Sequence, residues 1–330
     1  MLEKLPASAE NLLIEVSQIA SGLGLEVFLV GGLVRDLFLG CPEFSPDIDL
    51  MVLGDARDLL ATIENMGLPE FGCSSEKLSV KSFPDFLTSK INFLQPCQGL
   101  NGFDIAEARA EEYPIPGGRP LVERGDLNSD LARRDFTINS IAMPLVEGRL
   151  GEVVDPFNGL KDLETKQLRI LHQNSFVEDP ARLIRGARFI GRFGFEWSPE
   201  TLLAVEESVE QRAIESLTRG RHCTEVLKSL SDVSGFEKTV NELVRLELLE
   251  EAFPQIQLSS GLEEDLKEID LVYSTELEGS FSLAELRFQR LWARAEWPWQ
   301  QEGELFWTSN CSKKIRKRIE KAREFWRSRT

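Results

Sequence analysis

Asp47-Ile48-Asp49 follows a short polar link downstream of Gly31-Gly32 and Arg35-Asp36. Two carboxylates two residues apart are spaced to hold one or two Mg2+ ions, whose hard oxygen coordination suits them. A Gly-Gly turn lets backbone N–H groups approach a phosphate without Cβ clashes. Each half alone is commonplace, since Gly-Gly after a strand is usually a plain turn and Asp-x-Asp a solvated strand end or a helix cap. The combination is harder to dismiss. Two carboxylates in an apolar strand repel each other and resist burial unless a cation is present.

Three further constellations carry chemistry. In the run from Asp130 to Ser140, Arg133-Arg134-Asp135 lies amid apolar residues. Arg134 can grip a phosphate bidentately, and Asp135 or Asn139 can orient it or bond a ribose hydroxyl. A structural salt-bridge cluster is the plainer alternative. The run from Asp155 to Leu163 reads as a turn and a helix start with Asp162 available as a cap. Its role is expected to be mainly structural, as a hinge. From Glu178 to Arg192, Pro180 suits a first helical turn, and Arg182, Arg185, Arg188 and Arg192 fall on one stripe. Four aligned arginines need carboxylates or a polyanion opposite them. Asp179 near the same face adds an acceptor to these donors, which is what reading a base edge requires.

These residues need elements to hold them. Residues 1–25 read as one helix. Glu26 to Val30 is a short buried strand, and Leu33 to Leu39 a helix closed by Gly40. Asp47 to Val52 reads as a second strand, with both aspartates on one face and Ile48 and Leu50 toward the core. Asp55 to Met66 is a helix capped by Asp55 and closed by Gly67. Further strands are expected at Leu78–Phe83, Ile91–Leu94 and Phe103–Ala108, with a Pro- and Gly-rich loop from Tyr113 to Arg119. From about Ser175 strand signals fade and helical periodicity continues to the end. Strands first and helices afterwards predict an α+β fold, a small mixed α/β head followed by a helical region. A weak helix junction is expected near Gly261–Asp270.

The chain has 330 residues, enough for more than one unit. Its longest apolar run, around Val27 to Val34, is too short to span a membrane, and no signal-like stretch opens the chain. Five scattered cysteines (Cys41, Cys73, Cys97, Cys223 and Cys311) lack zinc spacing and suggest reduced thiols in the cytoplasm. Only His172 and His222 are present, which argues against multi-histidine metal sites. A net charge of −17 argues against nucleic-acid binding by the whole-protein field. The cations crowd the end, from Lys313 to Arg329, and that segment is either a solvated face or an RNA-phosphate contact.

In this order the four segments resemble the class II tRNA nucleotidyltransferases, the CCA-adding enzymes, and the related bacterial poly(A) polymerases, over roughly residues 26–200. The resemblance implies that Asp47 and Asp49 bind Mg2+, that Asp104 is an additional acidic residue of the site, and that Gly31, Gly32 and Arg35 meet the triphosphate. It implies a ribose-sensing segment with Asp130, Arg134, Asp135 and Asn139, and base reading by Asp179 and Arg182 with Arg185 and Arg188 nearby. It also implies a seahorse-like fold: a nucleotidyltransferase head over residues 1–150, a neck with the template helix over 151–235, and a helical tRNA-binding body and tail over 236–330. The implied partners are the tRNA 3′ end and CTP and/or ATP, with no membrane and no obligate protein partner.

The chain departs from the family pattern at Leu217 to Glu225, where Gly220 stands at a position often charged, and at Phe71 to Gly102. The stretch from Ala110 to Leu121 resembles the subgroup with separate CC-adding and A-adding enzymes. The activity expected is addition of C and/or A to tRNA by two-metal phosphoryl transfer with release of pyrophosphate. A poly(A) polymerase shares that chemistry. An inactive RNA-binding relative would not need two repelling carboxylates, and a small-molecule nucleotidyltransferase would not need the arginine helix or the long helical extension.

Overall fold

The computed structural model describes residues 5–41, 47–146, 148–230, 232 and 235–249. The basic stretch from Lys313, the junction near Gly261–Asp270, Cys311 and most of the expected body and tail lie outside the described residues. The chain divides into two compact units, one of residues 1–114 and 120–171, the other of residues 115–119 and 172–330.

In the first unit the order is α1 (Ala7–Gly22), β1 (Glu26–Val30), α2 (Gly32–Leu39), β2 (Asp49–Leu53), α3 (Arg57–Met66), β3 (Leu78–Phe83), β4 (Thr88–Cys97), β5 (Leu100–Glu107), β6 (Arg109–Glu112), β7 (Leu121–Arg124), α4 (Leu127–Ala132), β8 (Ala142–Val146), β9 (Arg149–Leu150) and α5 (Gly159–Thr165). Seven strands form one sheet in the order β3-β4-β5-β2-β1-β8-β9. β2 lies antiparallel to β1 and parallel to β5. Its Leu50, Met51 and Val52 are buried on both faces, as a central strand requires. Phe28, Val30, Met51 and Ala142 on the sheet pack with Leu131 of α4 in one apolar cluster. A second patch stacks Phe71, Phe93 and Phe103 with ring centroids 5.6 and 6.2 Å apart.

The expected β1, α2 and β3 are found, and α2 ends at Gly40 in the left-handed region (φ 63°). Three expectations need correction. β2 starts at Asp49, so Asp47 precedes the strand. The β1–β2 ladder stops at Val30 and Asp49, because Gly31 (φ 76°) turns the chain away. α3 starts at Arg57 with Ala56 at the cap position: Asp55 Oδ1 accepts the Arg57 N–H at 3.0 Å and pairs with the Arg57 and Arg124 side chains, while the buried Glu107 takes the Ala56 N–H. At α5 the carboxylate that receives the first N–H groups belongs to Asp155, which accepts from Gly159 and Leu160 at 2.7 and 2.9 Å. Asp162 is buried instead against Thr137 and Arg169. The charged pair β6 and β7 and the Pro-containing β8 carry no alternating pattern that would announce them.

The helices of the second unit are α6 (Ser175–Glu178), α7 (Ala181–Phe193), α8 (Pro199–Glu210), α9 (Arg219–Ser229) and α10 (Phe236–Arg245). Pro180 stands just before α7, and Ala181, Leu183, Ile184, Ala187 and Phe189 are among its buried apolar residues. α7 and α10 meet where Gly191 lies against Thr239 and Gly235. A methyl group on Gly191 would overlap the Thr239 hydroxyl and the Gly235 carbonyl. Gly191→Ala is therefore expected to destabilise the second unit by about 1–3 kcal/mol through overpacking. A lowered thermal midpoint is the expected result; an unchanged midpoint would refute the close approach.

Candidate functional site

The head site is built by sheet register. Asp49 opens β2 opposite Val30, the last residue before Gly31. A Cβ on Gly31 would stand 3.1 Å from the Asp49 Oδ2 and 3.6 Å from Arg134 Nη1, so the glycine turn, the carboxylate and the guanidinium form one cluster. On the other side, Asp104 of β5 is the register partner of Asp49. Asp47 is exposed and Asp49 partly buried, with buried Ile48 between them as expected. Asp47, Asp49 and Asp104 line one open recess with Lys90, Asn92 and Asn101.

Arg134 is held from behind. Asp130 is fully buried and accepts from Arg134 Nη2 at 2.8 Å and Arg133 Nη2 at 2.7 Å. Burial alone would raise the Asp130 carboxyl, but Arg134 and Arg133 outweigh it and hold the group below the ordinary range. Arg133 also donates to Glu111, which Arg109 and the Tyr113 hydroxyl share. Asn139 links the rest: its Nδ2 donates to Asp135 at 2.9 Å and its Oδ1 accepts from Arg35 Nη1 at 2.8 Å. The Arg35 side chain is 5% exposed and pairs with buried Asp36 at 2.7 Å, so it sits beneath the surface. Gly32 opens α2 next to Gly31, where free helix N–H groups gather.

The second unit holds the other cluster. Asp179 is buried just before α7, and its Oδ2 lies 2.8 Å from Arg221 Nη2, 3.4 Å from Arg185 Nη2 and 3.9 Å from Arg182 Nε. Arg182 is buried and donates to Ser175 at 2.6 Å. Arg188 forms a two-point pair with Asp232 at 2.6 and 2.8 Å, and Arg192 approaches the same carboxylate at 3.8 Å. The stripe is thus divided between two aspartates. Lys90, Glu111, Arg221 and Asp232 were not among the residues expected here. Asp232 is more than forty residues from Arg188, and Lys90 reaches the site only through strand pairing. No local spacing marks either one. His172 stands 3.4 Å from Glu178, and His222 meets the Leu248 carbonyl, both structural contacts.

Residues 27–169 match the family described as the poly(A) polymerase head domain. The chain is 35% identical over 272 residues to an A-adding tRNA nucleotidyltransferase of Geobacter sulfurreducens, covering 82% of this chain and 29% of that protein. It is 36% identical over 190 residues to a CC-adding tRNA nucleotidyltransferase of Deinococcus radiodurans, covering 57% and 46%. The chain therefore spans less than half the length of either relative. A solved tRNA nucleotidyltransferase in complex with a primer tRNA and an incoming ATP analog superposes with a TM-score of 0.72 at 27% identity, over 94% of this chain and 83% of that one. Among the described residues no helix is long and apolar enough to cross a membrane.

Enzymes of this kind use divalent metal as a rule. Among the described residues no group of three or more His, Cys, Asp or Glu side chains is arranged to hold an ion. Asp47 and Asp49, which line one recess, have the oxygen-donor chemistry that could hold one. Burial pushes the Asp49 carboxyl up to about 6; Arg134 opposes the rise, Asp104 and Asp47 add to it, and Lys90 opposes it. A carboxylate crowded by two others gains most from a cation. Because the folded value lies above the ordinary one of 3.8, the folded state holds the proton more tightly. Its stabilisation is complete below pH 3.8 and is lost as pH rises through about 6. The thermal midpoint of Asp49→Asn should thus match wild type near pH 4, exceed it increasingly up to about pH 6, and stay above it beyond. A divalent cation at pH 7 should close the gap. A difference independent of pH would contradict the assignment.

Proposed function

The chain belongs to the class II CCA-adding tRNA nucleotidyltransferase family, and we propose that it adds C and/or A to the 3′ end of tRNA from CTP and/or ATP, releasing pyrophosphate. The observation that carries this reading is the convergence of Asp49, Gly31 and Arg134, flanked by Asp104 on the adjacent strand. A nucleotide triphosphate needs that set: backbone N–H groups, a fixed cation and carboxylates for a metal.

In this reading Asp47 and Asp49 hold Mg2+, which when bound lowers the pKa of the attacking 3′-hydroxyl and neutralises the departing pyrophosphate. Gly31 and Gly32 let the N–H groups at the start of α2 approach the triphosphate. Arg134, fixed by Asp130, presents its guanidinium without having to be ordered when the nucleotide arrives. Asp135 and Asn139 hold each other for a ribose contact, and Arg35 acts through Asn139 as a positioning residue. Asp104 supplies further negative charge beside Asp49. In the second unit, Asp179 offers an acceptor and Arg182 a donor for a base edge. Arg185 and Arg221 hold the aspartate, and Arg188 is held by Asp232. The proposed domain division is a head over 1–150, a template-bearing neck over 151–235 and an RNA-binding body and tail over 236–330, acting in the cytoplasm.

The test uses tRNAs ending at the discriminator base, at C and at CC, each with CTP or ATP alone. Addition limited to one, two or three nucleotides supports the reading, and the starting end that is extended assigns CCA, CC or A addition. A ladder of many adenylates would assign a poly(A) polymerase, and no product on any substrate would sink the proposal. Asp47→Ala and Asp49→Ala should each reduce incorporation by at least about 1,000-fold, the scale of a lost electrostatic element in a transfer site, while circular dichroism stays native. Near-wild-type incorporation by either variant would overturn the metal assignment. Asp179→Ala should instead lower discrimination between CTP and ATP, read as the ratio of their kcat/KM values, with turnover retained.

A further inference from the structure

On the adjacent strands β4, β5 and β2, Lys90, Asp104 and Asp49 are register partners in turn. Partners across a sheet share a face, so the three side chains stand in one row. Lys90 Nζ donates to Asp104 Oδ2 at 2.8 Å. Both side chains are about half exposed, at 53% and 42%, and an ion pair so open to water contributes little to stability. Stability therefore does not account for a cation at this spot. Its position does: Lys90 lines the same recess as Asp47, Asp49 and Asp104, and its charge also acts on Asp47 and Asp49.

We propose that Lys90 is a built-in cation that holds Asp104 out of the ligand set, so that the nucleotide-free site takes one divalent ion through Asp47 and Asp49 alone. An ammonium and a divalent ion cannot both sit against one carboxylate at contact distance without strong mutual repulsion. The inference rests on the metal-binding reading of Asp47 and Asp49 and names the residue that limits that site.

The experiment is titration of the nucleotide-free full chain with Mn2+, followed by electron paramagnetic resonance of the free ion. Wild type should bind one equivalent. Asp104→Asn should weaken that affinity by less than about tenfold, through loss of a neighbouring charge only, since Asp104 is not a ligand. Lys90→Met should bind Mn2+ about three- to tenfold more tightly or take a second equivalent, because Asp104 is freed and a positive charge is gone. Lys90→Arg should bind as wild type does, and Lys90→Met combined with Asp104→Asn should lose most of the gain. A loss of tenfold or more in Asp104→Asn, or an unchanged Lys90→Met, overturns the inference; the Asp104→Asn arm decides alone should Lys90→Met fail to fold. Asp49→Asn separates the two readings. If Mn2+ binding survives it, the metal assignment falls and the inference with it. If binding is abolished while Lys90→Met behaves as wild type, only the inference falls.

Discussion

A fully buried carboxylate, Asp130, is tolerated only because two consecutive arginines close on it, and the head site depends on that arrangement. Arg133 and Arg134 each place a guanidinium nitrogen within 2.8 Å of a different Asp130 oxygen. Desolvated and unpaired, such a charge would cost several kcal/mol. Satisfying it fixes the turn after α4 and leaves Arg134 facing Asp49 beside Gly31. The same turn delivers Asn139 to Arg35 and Asp135. A buried carboxylate thus fixes where a charged working group stands.

Much of this was legible locally. The Gly-Gly break, the C-terminal Gly40 and the Asp-x-Asp pair all declare themselves within a few residues, because φ freedom, helix ends and alternation are short-range properties. What failed was decided by tertiary contacts. Asp162 looks like a cap from its type, but Asp155 takes the first N–H groups of α5; at α3, Asp55 does accept the Arg57 N–H, while the distant Glu107 takes that of Ala56, and a choice between carboxylates is made by tertiary contacts. β6 and β7 pair as a charged hairpin that no hydrophobic pattern marks. Lys90 became part of the site only through the register of β4 on β5, which spacing in the chain does not encode.

The arginine stripe of α7 shows the same limit in another form. Its periodicity was readable, and so was the need for anions opposite it. Asp179, the nearby partner, was readable as well. Asp232 was not, nor was the use of Arg221 to hold Asp179. Helical spacing tells which side chains share a face; it does not tell which later segment will cover that face.

Charge balance ties the two clusters to the composition. The chain is strongly acidic, yet the work proposed for it is on polyanions. The described clusters meet this by pairing rather than by excess. Arg134 with Asp130, Lys90 with Asp104, Arg188 with Asp232 and Arg221 with Asp179 each offer a donor whose charge is already answered. Such paired donors attract a polyanion weakly at long range but keep a fixed direction at short range, where an incoming phosphate or base edge competes for the donor. For the proposed function, such an arrangement favours recognition of a correctly placed nucleotide over indiscriminate capture of nucleic acid. It also makes a divalent cation the largest positive charge that the carboxylates of the head can acquire.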